Sequence, residues 1–358
     1  MQRIRFAAVS IPAIWAAATA LVMASFVVFS PMAQACSNGV FAANGKLIVA
    51  RNMDWPSHSG MVVINPRGAR WQSLAVRPED GANWYAKYGY ITFNLTETTV
   101  KLGKLSGPGG GINEKGLYVA SLWGPEPEYD KYSANDKRKG ISVIEVVPYA
   151  LSQYADVEQA LTGISRVRVH PLSMGKEEVT LHWLLVDASG DTAYVQFNRG
   201  KFEIYRKPSL KAMTNESYGE ERKYISAYRD FGGTLAVPDH INNAHTNSFE
   251  RFLLLAKFVQ DTDRGKRPVS VEAVFEALYS VRQAPAKEVV QSTWNSATAW
   301  TELYDYSTKT VYWRSGVTGG IKYVKLDDIN FAMTGTKQVL DIHSEVEGNL
   351  LGKFTLIL

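Results

Sequence analysis

Residues 33–55 read AQACSNGVFAANGKLIVARNMDW, and the two ends of this stretch decide how the rest of the chain is read. Cys36 is the one cysteine among 358 residues, and it directly follows Ala33-Gln34-Ala35, the small-residue ending of a secretory leader. Upstream, Arg3 and Arg5 supply a positive start, and Ile11 to Phe29 an apolar stretch interrupted by Pro12 and Ser25. Residues 1–35 therefore read as a cleaved signal peptide, and 36–358 as a single domain. Cleavage would put the only thiol and a free α-amine on one residue. An α-amine titrates at about 7.7–8.0 and a thiol at about 8.5, so a proton passes between them at little cost. Nucleophile and base then share an amino acid. Two other readings compete: an uncleaved apolar segment long enough to span a bilayer, and a lipidated Cys36 serving as a tether. Bacterial lipidation signals usually carry Leu three residues before the cysteine, where this chain has Ala33.

Export implies a periplasmic or secreted location, an oxidising setting in which a structural cysteine normally has a partner. A solitary one needs another reason. Without Arg3 and Arg5 the 39 Lys and Arg become 37 against 35 acids, a net charge of +2. That is close to neutral and argues against nucleic acid as a partner; no membrane association is expected after processing. The 323 residues left when 35 are removed from 358 suffice for a large core. Trp55, Trp71, Trp84, Trp123, Trp183, Trp294, Trp300 and Trp313 remain, most for the core and some for an apolar binding site.

Working outward from the quoted stretch, residues 37–41 and 46–52 read as strands around the turn dipeptide Asn44-Gly45. A second hairpin is written as 111–113, the turn Glu114-Lys115-Gly116, and 117–122. Further strands are expected at 61–65, 71–76, 90–94, 179–186, 192–197, 202–205, 297–306, 310–314, 321–324 and 354–358. The polar stretch 125–140, with Lys137-Arg138-Lys139, reads as an exposed loop. Residues 142–151 and 157–164 have helical spacing, the second capped by Asp156. Asn247 and Glu250 form a capping box before 249–259, and Ser270 caps 271–281. Strands in antiparallel pairs, then helices, then strands again predict a layered α+β fold. The terminal Cys36 is expected on a strand in mid-sheet.

The hairpin turns Arg51 and Asp54 back toward Cys36, which supplies a cation for a thiolate and a carboxylate for an amine. Here the sequence resembles the choloylglycine hydrolase family of N-terminal-nucleophile hydrolases, which holds penicillin V acylases and bile salt hydrolases. The residues that carry the resemblance are Cys36-Ser37, Arg51-Asn52-Met53-Asp54-Trp55, Gly111 to Leu117, Met213-Thr214-Asn215-Glu216 and Ser248 to Phe252. They span almost the whole chain after residue 35. The resemblance implies an αββα four-layer sandwich with two antiparallel sheets between helical layers. It implies Cys36 as nucleophile with its amine as base, Arg51 beside the sulfur and Asp54 bonded to the amine. Asn215 would aim its side-chain amide at the oxyanion, with the backbone N–H of Trp123 as second donor, and Arg251 would complete the site. Loss of one such donor costs about 2.7–4 kcal/mol of barrier stabilisation.

The chain departs from bile salt hydrolases, which place Asn where it has Trp123 and do not generally carry Trp at the place of Trp55. Paired indoles would wall the pocket for a phenoxyacetyl or fatty acyl group. The stretch from Asn215 to Arg251 is also shorter than in bile salt hydrolases, where it carries a contact between subunits of a tetramer; this puts that tetrameric contact in doubt and leaves a homo-oligomer open. Both traits resemble the Gram-negative branch, whose members cleave penicillin V and long-chain N-acyl homoserine lactones. The reading is an exported amidase acting on a small-molecule N-acyl amide, without a cofactor. Conjugated bile salts are the alternative substrate, and a tethered or periplasmic binding protein the alternative class. The six histidines show no metal-ligand spacing, so no metal is expected. Gly107-Pro108-Gly109-Gly110-Gly111 lacks the ending of a phosphate loop and reads as a turn before a strand.

Overall fold

Two sheets, antiparallel except for one short parallel pair at an edge, lie face to face between helices, and this arrangement brings Cys36 between layers. The computed structural model describes residues 36–358 except 56–57, 75–79, 101–102, 125–128, 130–132, 134, 175–176, 199, 242–246, 285–296, 333–335 and 357–358. The leader, Trp294, Pro125 and Pro127 thus lie outside the described residues. In chain order the strands of the two sheets are β1 (Ser37–Ala43), β2 (Lys46–Trp55), β3 (Gly60–Asn65), β4 (Tyr90–Val100), β5 (Gly103–Asn113), β6 (Tyr118–Trp123), β7 (Leu181–Val186) and β8 (Thr192–Asn198). They continue with β9 (Lys201–Arg206), β10 (Ala212–Met213), β11 (Ala297–Asp305), β12 (Thr310–Ser315), β13 (Lys322–Lys325), β14 (Gln338–Asp341), β15 (Gly348–Asn349) and β16 (Thr355–Leu356). A seven-stranded sheet runs β10-β1-β2-β11-β12-β13-β15, and a nine-stranded one β9-β8-β7-β6-β5-β4-β3-β14-β16.

The β1–β2 hairpin forms as the sequence predicts. Asn44 (φ 52°) and Gly45 (φ 77°) both take positive φ, the requirement of a primed two-residue turn. The register pairs Ser37 with Asn52 and Asn38 with Arg51. Alternation then sorts the side chains. Val49 and Met53 join the core between the sheets, whereas Ile48 and Ala50 join a second core beneath helices.

Met53, Trp300, Tyr304 and Trp313 share the inter-sheet core with Ile91, Phe93, Ile112 and Leu184. The sheets touch directly through an edge-to-face contact of Phe93 with Trp313, their ring centroids 6.0 Å apart. Five α-helices complete the described layers: α1 (Val146–Gln153), α2 (Val157–Ser165), α3 (Tyr218–Ile225), α4 (Ser248–Asp263) and α5 (Val271–Ser280). α1 packs on β5 and β6, while α4 packs on β1 and α5 on β2 and β11. The result is the αββα sandwich. The predicted caps form: Asp156 accepts from Gln159 N, Ser270 from Ala273 N, and Asn247 and Glu250 close a capping box.

Three expectations are corrected. β1 lies one strand from the sheet edge rather than in its middle, because β10 pairs only with Asn38 and Gly39. The glycine run at 107–111 is part of β5, not a turn; its missing side chains make room for groups on the facing sheet, as described below. Within the polar stretch, Tyr129 is buried, its hydroxyl accepting from Leu181 N (2.7 Å). Lys137 and Lys139 are exposed as expected.

Candidate active site

Cys36 directly precedes β1 and is buried, 3% exposed. Extending the hairpin register by one residue sets it against Met53, and its Sγ lies 3.7 Å from Met53 Sδ. Arg51, two residues before Met53 and therefore on the same face, brings Nη2 to 3.7 Å from Cys36 Sγ and 3.1 Å from Met53 Sδ. The same nitrogen donates to the Ser121 carbonyl at 2.8 Å. Arg51 is 1% exposed, and its other terminal nitrogen lies 3.8 Å from Glu302 Oε1. Burial weakens the guanidinium's hold on its proton, but the Cys36 sulfur and Glu302 outweigh this and hold its pKa above the usual value. Burial pushes the Cys36 thiol up, while Arg51 pulls it down.

Asp54 is an odd number of residues from Arg51, so strand alternation sends it to the opposite, helix-covered face. A β-bulge supports it there. Thr298 pairs with Asp54 and Trp300 with Met53, so Ala299 is an extra residue. The bulge turns Thr298 onto the face of Asp54, where its hydroxyl donates to Asp54 Oδ1. Burial raises the Asp54 carboxyl to about 7 against the pull of Arg251, Thr298 and Arg51.

Asn215 follows β10 and joins three segments. Its Oδ1 accepts from Cys36 N and from Arg251 Nη2, each at 2.9 Å. Its Nδ2 donates to the Trp123 carbonyl at 2.7 Å. Two donors at one atom and a carbonyl at the other fix which end of the amide is which. Arg251, on the first turn of α4, is 1% exposed and also reaches Ser37 Oγ (3.3 Å).

A further shell fixes Asn215. Its backbone N–H donates to Ser248 Oγ (2.9 Å), and the Thr214 N–H and hydroxyl donate to Glu221 Oε1 at 2.8 and 2.6 Å. Glu221 is completely buried, and burial raises its carboxyl to about 8.

The structure thus gathers Cys36, Arg51, Asp54, Asn215, Arg251 and Trp123, with two differences from the expected bonding. The Cys36 nitrogen donates to Asn215, whereas Asp54 bonds to Thr298 and its Oδ2 is buried without a hydrogen-bond partner. That nitrogen is bonded to Ala35, so it is an amide with one hydrogen to give. The Asn215 amide nitrogen, expected to face an oxyanion, is held by the Trp123 carbonyl instead. Met53, Ser121, Glu221, Thr298 and Glu302 were not anticipated. Met53 was within reach of strand periodicity, since it shares a face with Arg51. Thr298 and Glu302 lie on β11, about 250 residues along the chain, with no local signal.

Cys36 lines a pocket that opens to solvent. Its walls are mostly apolar: Trp55, Leu95, Pro108, Trp123, Ile144 and Leu181. The Trp55 and Trp123 rings lie 6.2 Å apart and tilted by 49°. A buried thiol beside a buried cation, facing such a pocket, suits attack on the carbonyl of an acyl group.

Comparison with known proteins agrees with this chemistry. Residues 36–341 match the family model described as linear amide C–N hydrolases, choloylglycine hydrolase family. The chain belongs to this family. A penicillin V acylase of Pectobacterium atrosepticum is 27% identical over 304 residues, covering 80% of this chain and 79% of that protein. A bile salt hydrolase/transferase of Clostridium perfringens is 28% identical over 109 residues, 29% of this chain and 32% of its own. The structure of the Agrobacterium tumefaciens penicillin V acylase superposes with a TM-score of 0.74 at 23% identity, over 90% of this chain and 98% of that one. A variant of the Clostridium perfringens conjugated bile acid hydrolase gives 0.67 at 15%, over 87% and 98%. These similarities support the N-terminal-nucleophile hydrolase fold, and the family match makes the chain a linear-amide C–N hydrolase.

Proposed function

We propose that this chain is exported, loses residues 1–35, and hydrolyses linear amides with the freed Cys36 as nucleophile. The observation that carries the reading is the thiol at the floor of an apolar pocket, 3.7 Å from a buried guanidinium, with its own nitrogen held by Asn215. The family match opens at residue 36, which agrees with processing there. Cleavage turns the Cys36 nitrogen into an amine with additional hydrogens, for which the unpartnered Asp54 Oδ2 is a candidate acceptor.

In the proposed reaction the amine takes the thiol proton as sulfur bonds to the amide carbon. Collapse of the tetrahedral intermediate breaks the C–N bond, and the amine passes its proton to the leaving nitrogen. Water, deprotonated by the same amine, then cleaves the thioester and regenerates the thiol. Arg51 favours the thiolate, Arg251 keeps Asn215 in place, and the Trp123 N–H together with the second Nδ2 hydrogen of Asn215 supplies the oxyanion donors. Trp55 and Trp123 suit a flat or extended apolar acyl group, as in penicillin V or long-chain N-acyl homoserine lactones, better than a hydroxylated steroid.

The test is a parallel assay of penicillin V, a long-chain N-acyl homoserine lactone and glycocholate with the processed enzyme and its Cys36→Ser variant. The first two should be cleaved at least tenfold faster than glycocholate, and the variant should retain its fold while losing nearly all turnover. Preference for glycocholate would overturn the acyl assignment. Comparable hydrolysis by the variant would overturn the thiol mechanism.

A further inference from the structure

The far end of the Arg51 guanidinium has a built environment that the proposed reaction leaves unexplained. Arg51 Nη1 and Glu302 Oε1 are both buried without a hydrogen-bond partner, and they face one another at 3.8 Å. Glu302, 2% exposed on β11, is fixed from behind by Trp300, whose Nε1 donates to Oε2 at 2.8 Å. From the other sheet β5 presents consecutive glycines. A Cβ on Gly109 would lie 2.6 Å from Arg51 Nη1, and one on Gly110 would lie 2.8 Å from Glu302 Oε1. No side chain fits at either position without displacing the pair. The two sheets form a slot shaped to this one ion pair.

We propose that Glu302 is a positioning residue for the reaction assigned above: its carboxylate holds Arg51 from the side away from the sulfur and sets how much of the guanidinium charge reaches Cys36. It touches no reacting atom. With Glu302 ionised, the pair is close to neutral and the thiol feels a compensated cation. With Glu302 neutral, the thiolate becomes the nearest counter-charge to Arg51. The groups facing Glu302 are Arg51 on β2, Tyr118 on β6, the Trp300 indole on its own strand and the glycine backbone of β5; those facing the thiol are Arg51, Met53 and Asp54 on β2, Tyr118 on β6 and Arg251 on α4. Burial raises the Glu302 carboxyl to about 7 against the pull of Arg51, so the pair changes charge near neutral pH.

The experiment is the pH dependence of Cys36 alkylation by iodoacetamide, a neutral reagent that reads thiol ionisation without turnover. In Glu302→Gln, which keeps the shape and removes the charge, the midpoint should fall by about one unit. A curve that superposes on the native protein, or moves upward, overturns the proposal. Should that variant not fold, Glu302→Asp retracts the carboxylate by one methylene and should lower the midpoint by a smaller amount; a native curve there has the same adverse meaning. Because no substrate is involved, an error in the amidase reading would appear in the turnover assays and leave this shift intact.

Discussion

Asp54 has one hydrogen-bonding hydroxyl, that of Thr298, and a more distant cation, Arg251, to set against complete burial. The hydroxyl favours the charged form. Thr298→Val removes that donor, so the Asp54 carboxyl should rise further above about 7. If ionised Asp54 serves the Cys36 amine, the acid limb of kcat/KM then moves to higher pH by about one unit; an unmoved limb would separate Asp54 from the reaction. Which residues meet at this site was partly legible in the sequence. Arg51 and Asp54 were visible because a tight turn folds them back on Cys36. Their assignment to opposite faces followed from odd spacing and was missed, as was Met53 at even spacing. Arg251 and Asn215 were readable only by resemblance, since an arginine on a helix and an asparagine after a strand are ordinarily a solvated residue and a turn former.

The β1–β2 hairpin is the element most completely written in local sequence, through its Asn44-Gly45 turn and its alternation. Helix ends were equally readable, because Asp156, Asn247 and Ser270 act on backbone groups three residues away. The pairing of β2 with β11 was not readable, and neither was the bulge that turns Thr298 toward Asp54, since both depend on contacts across most of the chain. The glycines of β5 were misread for a related reason. Glycine marks turns when backbone conformation requires it, but here it marks the close approach of a buried charge from the other sheet. Gly109→Ala tests that account. Its Cβ would meet a guanidinium already fixed by Ser121, Met53 and Glu302, so unfolding in urea should show a loss of about 1–3 kcal/mol together with reduced turnover. Native stability and activity would mean that Arg51 has slack, and that the slot does not hold it.

Over the whole molecule, burial raises five described acids, Asp54 and Glu302 to about 7, Glu221 to about 8, and Glu216 and Asp263 above their usual values. His58, His170 and His182, lowered by burial, hold fewer protons folded than unfolded up to about pH 6.5, whereas Asp54, Glu302 and Glu221 hold more between about pH 4 and 8. Stability from these acids is fully present below the unfolded carboxylate range and is lost as pH rises through the folded values. Tm should decline between about pH 6.5 and 8, where the histidines no longer offset the acids, and Glu221→Gln should flatten that decline by an amount on the order of 2 kcal/mol. A parallel decline in the variant would remove Glu221 as a contributor. The αββα layering itself was foreseen from the order of strands and helices together with the family resemblance, and the topology of sixteen strands was not, because sheet order is decided by non-local pairing. The proposed reaction requires Cys36 at the head of a processed chain, so the direct measurement is mass spectrometry of the enzyme quenched with acid during turnover of penicillin V. It should yield a peptide that begins at Cys36 and carries the phenoxyacetyl group as a thioester on that residue. A turning-over enzyme whose chain begins elsewhere, or whose acyl group sits on another side chain, would contradict it.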